Sequence, residues 1–281
     1  MSAPQDKIEF VVVDGLRLRV SIRGSGRPLL LFNGLGASLE IFDPLRREMH
    51  QTETIAVDMP GAGGSQTPLL PRPLCRLARL AGRLLDVLGY PDAVDVLGIS
   101  WGGALAQEFA LSCPRRVRRL VLASTSTGWL SVPGRPSALW ILATPRRYYS
   151  PTYFEAVAPT LYGGAVREDP GLLRKQGHLR FIHPPTARGY LWQLAAGIGW
   201  TSLHRLHGVR NPTLVLAADD DPIVPLASAR LMAWLLPRSR LQVIPKGGHL
   251  FLVTHAATVA PLIEAFLGAP DETTALRTGA M

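Results

Sequence analysis

In VLGISWGGALAQEFA, residues 96–110, Gly98, Ser100, Gly102 and Gly103 crowd the junction between an apolar run and an alanine-rich one. The five residues Gly98 to Gly102 fit G-x-S-x-G, the spacing of a nucleophile held on a sharp strand-to-helix turn where larger neighbours would clash. A serine hydroxyl is a poor nucleophile until a base takes its proton, so such a serine requires a histidine. Of the seven histidines, His249 is placed to serve: in VIPKGGHLFLV it follows the last apolar run, and Gly247 and Gly248 are expected to free the backbone to swing the imidazole back over the sheet edge. His204 and His207 read as solvated or packing residues, and His255 as a residue of the last helix facing elsewhere. The imidazole in turn needs a carboxylate to fix its tautomer and to stabilise its charged form. LVLAADDDPIVP offers Asp219, Asp220 and Asp221 at the end of another apolar run, more carboxylates than the cap of a following helix requires.

The chain order Ser100, aspartate, His249 is that of the α/β-hydrolase fold rather than of the chymotrypsin or subtilisin folds. In hydrolases of that fold the acid lies just before an x-[IF]-V-P turn, which selects Asp221, with Asp220 second. The alternative position, after the preceding strand, reads LVLASTSTG and has no carboxylate. FNGLGAS follows an early apolar run, and Asn33-Gly34-Leu35-Gly36 stands where relatives carry His-Gly-x-Gly. The backbone N–H groups of Leu35 and Trp101 are therefore the expected pair of donors to an oxyanion.

These residues need a scaffold that brings four loops together, and the sequence spells one. IEFVVVDGLRLRVSIRG reads as two strands joined at Asp14-Gly15, a hairpin dipeptide. PLLLFNGLG, ETIAVDMPGAGGS, AVDVLGIS, RRLVLASTS, NPTLVLAADDDP and SRLQVIPKGGH are apolar strands. LCRLARLAGRLLDVLGY and ALAQEFALSCP have helical character, the latter stopping before Pro114. Near-continuous apolar strands alternating with helices predict a mostly parallel sheet with helices on both faces. Between about 128 and 200 the rhythm breaks. That stretch is rich in proline, shows no clear strand, and holds Trp129, Trp140, Trp192 and Trp200 with five of the six tyrosines. It is expected to form a helical cap over the cleft, its four tryptophans offering an apolar substrate surface. The domain reading is thus a core of residues 1–127 and 201–270, a cap of 128–200 and a flexible tail of 271–281.

Composition narrows the function classes. A hydrophobic content of 47% and a charged content of 18% over 281 residues suit one large globular domain with an insertion. Cys75 and Cys113 form neither a disulfide framework nor a metal-ligand spacing, which favours a reducing compartment. No signal peptide and no membrane-spanning run is read, so the expectation is a cytoplasmic protein and not an integral membrane protein. The net charge of +9 comes with no nucleic-acid motif, and nucleic acid is set aside as a partner. The densest basic cluster, Arg115, Arg116, Arg118 and Arg119, reads as a solvated turn.

From about Pro28 to about Leu267 the chain resembles the intracellular medium-chain-length polyhydroxyalkanoate depolymerases. The stretches that carry the resemblance are LLLFNGLGASLE, DMPGAGGSQTP, GISWGGALAQEFA, PRRYYSPTYFEAVAPTLYGG, WQLAAGIGWTSLHRLH, PTLVLAADDDPIVP and GGHLFLVTHAATVAP. Several fall within the insertion, where unrelated α/β-hydrolases share almost nothing. One departure from these depolymerases stands out: in AADDDP an alanine precedes the aspartates where a glycine is expected. The resemblance implies an ester hydrolase of stored 3-hydroxyalkanoate polyester, acting through an acyl-enzyme without metal or organic cofactor. It implies a place at the granule surface, with granule-associated proteins as possible partners. The alternatives are a carboxylesterase or C–C bond hydrolase of the same fold acting on a soluble substrate, and a non-catalytic granule-coat or ligand-binding protein.

Overall fold

The computed structural model describes residues 6–169, 171–172 and 180–270. The expected tail, 271–281, lies outside the described residues, as does His178. β1 (Lys7–Val13) and β2 (Leu16–Arg23) form the hairpin expected from Asp14-Gly15. Both turn residues have positive φ, 49° and 73°, the conformation that suits the right-handed twist of the strands on either side. Then follow β3 (Arg27–Phe32), α1 (Asp43–Glu48), β4 (Thr52–Val57), α2 (Leu74–Val87), β5 (Val94–Ile99), α3 (Trp101–Ser112) and β6 (Val117–Ala123). After the inserted segment come β7 (Thr213–Ala218), and later β8 (Ser239–Ile244).

The strands make one eight-stranded sheet in the order β1-β2-β4-β3-β5-β6-β7-β8. All neighbours from β4 to β8 are parallel; β1 and β2 run antiparallel at one edge. This is the mostly parallel sheet that strand–helix alternation predicts. Successive side chains of β3 point to opposite faces. Leu30 and Phe32 pack with Leu77 and Leu84 of α2 and Leu105 and Phe109 of α3, while Leu29 and Leu31 pack with Leu45 of α1 and with Phe251 and Ile263 from the end of the chain. The central strands are buried throughout because helices cover both faces, which is why they read as unbroken apolar runs.

Within the insertion, the described residues form α4 (Pro136–Leu142), α5 (Pro151–Tyr162), α6 (Ala165–Glu168) and α7 (Ala187–Gly197), and no strand. A single bridge between Gly128 and Thr201 pins the two ends of this segment together. Its own small core gathers Ala138, Phe154, Leu161, Tyr162 and Val166 against Ile223 and Leu250 of the loops above the sheet. Beyond it run α8 (Leu226–Leu235), α9 (Phe251–Thr254) and α10 (Ala256–Gly268). Among the described residues no helix is long and apolar enough to cross a membrane.

The basic cluster departs from its reading as a solvated turn. Only Arg115 is exposed. Arg116 pairs with Asp86 and Arg118 with Asp95. Arg118 also donates to the Leu267 carbonyl at 2.8 Å, and Arg119 donates to the carbonyls of Phe266 and Ala269. These guanidinium groups satisfy the free carbonyls at the end of α10, a contact between residues some 150 positions apart that local sequence cannot show.

Candidate active site

In a parallel sheet the loops at the carboxyl ends of the strands emerge on one side, so those after β3, β5, β7 and β8 meet there. Ser100 joins β5 to α3 with φ 56° and ψ −119°, a conformation that side chains other than glycine rarely adopt. Its backbone is held from both sides. The N–H donates to the Ala123 carbonyl at 2.9 Å, and the Ser100 carbonyl accepts from Gly103 N at 2.9 Å and Thr125 Oγ1 at 2.8 Å. The flanking glycines are explained by space: a Cβ on Gly98 would lie 2.2 Å from the Gly102 carbonyl oxygen, and one on Gly102 would lie 2.1 Å from that of Phe32. The first turn of α3 therefore rests directly on backbone, and Ser100 is fixed at its N-terminus.

His249 follows β8 and is buried, with 4% of its surface exposed. Its N–H donates to the Tyr162 carbonyl at 2.7 Å, so the end of α5 braces it. The glycines before it act by small size rather than by conformational freedom. Neither has a left-handed φ, which falls on Lys246 (57°), but a Cβ on Gly248 would meet the Tyr162 carbonyl oxygen at 2.1 Å.

The three aspartates after β7 separate sharply. Asp221 is buried, and its Oδ2 and Oδ1 lie 2.8 and 3.0 Å from His249 Nδ1. Oδ1 also accepts from the backbone N–H groups of Ile223 and Val224, both at 2.9 Å. Asp220 faces the inserted segment, where it accepts from Gly164 N at 2.8 Å and pairs with Arg167 at 2.7 Å. Asp219 is exposed. Of the other described histidines, none lines a cavity with Ser100; His204 and His207 are exposed, and His255 Nδ1 meets Thr254 Oγ1 at 2.9 Å.

The loop after β3 approaches closely: a Cβ built on Gly34 would stand 3.6 Å from Ser100 Cβ. Asn33 is fully buried, and its Nδ2 donates to the Ala37 carbonyl at 2.6 Å, closing the loop on itself. The inserted segment holds the loop from above. Tyr148 Oη donates to the Leu35 carbonyl at 2.6 Å, and Gly36 N donates to Gln193 Oε1 at 2.8 Å. The Trp101 indole donates to the Gln193 carbonyl at 2.8 Å, so Gln193 touches the neighbourhoods of both Leu35 and Trp101. Tyr148 and Gln193 were not singled out by sequence reasoning. Their signal is a tertiary contact across more than 100 residues.

Ser100 lies where two spaces meet. One is a narrow cavity of about 40 Å³ lined by Gly34, Leu35, Ser100, Arg147, Arg180 and His249, among others. The other is an open groove of about 500 Å³ whose walls include Trp101, Trp129, Leu139, Trp200 and Val224. Trp129 and Trp200 thus flank the serine. Trp140, 81% exposed, and Trp192, whose indole donates to the Pro68 carbonyl at 3.2 Å, line neither space. A hydroxyl on a strained turn, a carboxylate-paired imidazole in the same cavity, and backbone N–H groups at a helix start can together carry out acyl transfer.

The comparisons with known proteins show the family. The model of the alpha/beta hydrolase family matches residues 29–262. The chain is 48% identical to the poly(3-hydroxyalkanoate) depolymerase of Ectopseudomonas oleovorans over 92% of this chain and 91% of that one. It is 29% identical to a 2-hydroxymuconate semialdehyde hydrolase of Pseudomonas putida, over 96% of this chain and 99% of the other. Among solved structures, a hydrolase from Pseudomonas aeruginosa PA01 superposes with a TM-score of 0.77 at 27% identity, covering 94% of this chain and 99% of that one.

Proposed function

Because the chain belongs to the alpha/beta hydrolase family, beside the poly(3-hydroxyalkanoate) depolymerase it matches along nearly its whole length, we propose that it is a serine hydrolase that cleaves the esters of a stored medium-chain-length poly(3-hydroxyalkanoate). The observation that carries this reading is one cavity lined both by Ser100 on its strained turn and by a buried His249 whose Nδ1 is bound by the Asp221 carboxylate. In the proposed mechanism Ser100 Oγ attacks an ester carbonyl carbon while His249 Nε2 takes its proton. The oxyanion rests between the N–H groups of Leu35 and Trp101. His249 then protonates the departing alkoxide, and a water that it deprotonates frees the acyl group from Ser100.

The inserted segment is read as the lid of this site. Trp129 and Trp200 supply apolar walls of the kind an alkyl side chain requires. Trp129, Trp140 and Ile198 are 69%, 81% and 70% exposed, which suits contact with a water-insoluble polymer at an intracellular granule. Purified medium-chain polyester granules should release 3-hydroxyoctanoate on addition of the wild type, and poly(3-hydroxybutyrate) should not be attacked. If both polymers stay intact while p-nitrophenyl octanoate is hydrolysed, the polymer assignment falls and a soluble ester takes its place.

Gln193 is proposed as a positioning residue for the two oxyanion donors. Gln193→Leu keeps the volume but leaves the Gly36 amide without its acceptor, at a cost of about 1–3 kcal/mol. The expected result on p-nitrophenyl octanoate is a fall in kcat of about tenfold at nearly constant KM. A rise in KM with unchanged kcat would instead place Gln193 in substrate binding.

A further inference from the structure

The narrow cavity beside Ser100 contains two positive charges that the acyl-transfer chemistry does not use. Among the described residues the buried Arg19 is matched with Glu40 and Asp58, and the buried Arg46 with Asp6. Arg180 and Arg147 are not matched in this way. Arg180 is 8% exposed, and its guanidinium lies among the rings of Tyr148, Phe154 and Tyr162, 5.0, 5.0 and 5.3 Å from their centroids. It has no carboxylate partner among the described residues. Arg147, 2% exposed, donates to Tyr190 Oη at 2.6 Å, the Thr144 carbonyl at 3.2 Å and the Leu35 carbonyl at 3.4 Å, again with no carboxylate, and its Nε has no acceptor. Burial pushes the Tyr190 hydroxyl up, so it meets Arg147 as a neutral group and does not balance its charge. Aromatic faces offset part of the cost of burying a cation, but not its whole desolvation. Two such cations lining one small cavity with the nucleophile and its base mark a place for an anion.

We propose that Arg180 and Arg147 bind the terminal carboxylate of a 3-hydroxyalkanoate chain, so that the enzyme cuts one unit at a time from the acid end. The inference rests on the polyester reading above and specifies which bond of the polymer is cut. In the last unit of such a chain the carboxylate is separated by one methylene from the carbon that bears the ester oxygen. The cavity on the side of the two arginines takes that carboxymethyl end, and the alkyl side chain is left to the open groove with its tryptophan walls. The bond between Ser100 Oγ and the carbonyl carbon of the penultimate unit forms. The bond from that carbon to the terminal unit's oxygen breaks, and His249 passes the serine proton to this oxygen. The unit leaves as a 3-hydroxyalkanoate anion from the two arginines. Water then splits the acyl-enzyme, regenerating the Ser100 hydroxyl and leaving a chain one unit shorter with a new carboxylate at its end. That carboxylate can occupy the same cavity.

The test is a calorimetric titration of the full chain carrying Ser100→Ala, which cannot hydrolyse an ester, with 3-hydroxyoctanoate and with its methyl ester. This chain should bind the acid about 10–100-fold more tightly than the ester, the range expected of a charge-assisted hydrogen bond. Adding Arg180→Met should abolish the difference and adding Arg180→Lys retain part of it. Equal binding of acid and ester by Ser100→Ala, binding of neither, or a preference that survives with Arg180→Met would overturn the proposal. Should the Arg180→Met chain fail to fold, the Ser100→Ala comparison and the lysine variant decide. The polyester reading stands or falls separately. An acid preference with no release from granules keeps the arginine site and removes the polymer, and release from granules without an acid preference does the reverse.

Discussion

Ser100→Ala is expected to lower kcat on p-nitrophenyl octanoate by about 10⁵–10⁶-fold, the scale on which loss of a nucleophile acts when base and acid are left with nothing to activate. Release of 3-hydroxyoctanoate from granules should be abolished with it. The variant should fold as the wild type does, because the Ser100 backbone, and not its side chain, makes the bonds to Ala123, Gly103 and Thr125. A second substitution separates the strain from the chemistry. At φ 56° and ψ −119° any side chain costs of order 1–3 kcal/mol, and alanine inherits that cost while glycine does not. Ser100→Gly is therefore expected to be equally inactive but more stable than Ser100→Ala, by about 1 kcal/mol once the added freedom of glycine in the unfolded chain is subtracted. Thermal unfolding of the two variants side by side measures this. Residual turnover above a few per cent in either variant would remove Ser100 as the nucleophile.

Asp221→Asn is expected to cost about 10⁴-fold in kcat with little change in fold. The size of the effect follows from how the carboxylate is held. Oδ1 receives two backbone N–H groups, from Ile223 and Val224, and these demand an oxygen. An asparagine must therefore keep its oxygen there and turn its NH₂ towards His249 Nδ1, where Oδ2 now stands at 2.8 Å. Facing a donor, Nδ1 can only accept, so the ring proton moves to Nε2 and the nitrogen that should take the serine proton is already occupied. Asp220→Asn is the control. Asp220 serves Gly164 and Arg167 on the inserted segment, so its loss should change kcat by less than about tenfold. If the two variants exchange these effects, the assignment of the acid is wrong.

Legibility in the sequence tracks how local each physical demand is. The hairpin at Asp14-Gly15, the amphipathic α2 with exposed Arg76, Arg79 and Arg83, and the unbroken apolar strands could be read because dihedral preference and burial periodicity act over a few residues. G-x-S-x-G could be read for a related reason: its glycines answer clashes within one strand–turn–helix unit and the adjacent β3. The cluster at Arg115 to Arg119 departs from a solvated turn because the partners of Arg116, Arg118 and Arg119 lie on α2, on β5 and at the end of α10, away from it in sequence. Two of the four tryptophans expected to face substrate, Trp129 and Trp200, line the groove. Composition could not separate them from Trp140 and Trp192, since it says nothing of direction.

By itself, then, the sequence determined the α/β architecture, the strand–turn–helix that presents Ser100, and the chain order of serine, aspartates and histidine, all set by short-range steric and apolar patterning. Only the tertiary structure decided which residues of the inserted segment grip the loop at Leu35 and Gly36, and that Arg147 and Arg180 share the cavity of Ser100. Each of those facts is a meeting of side chains from distant segments. Hydrogen-bond geometry and the desolvation of charge act between atoms a few ångströms apart, and that proximity exists only once the sheet has brought the loops together.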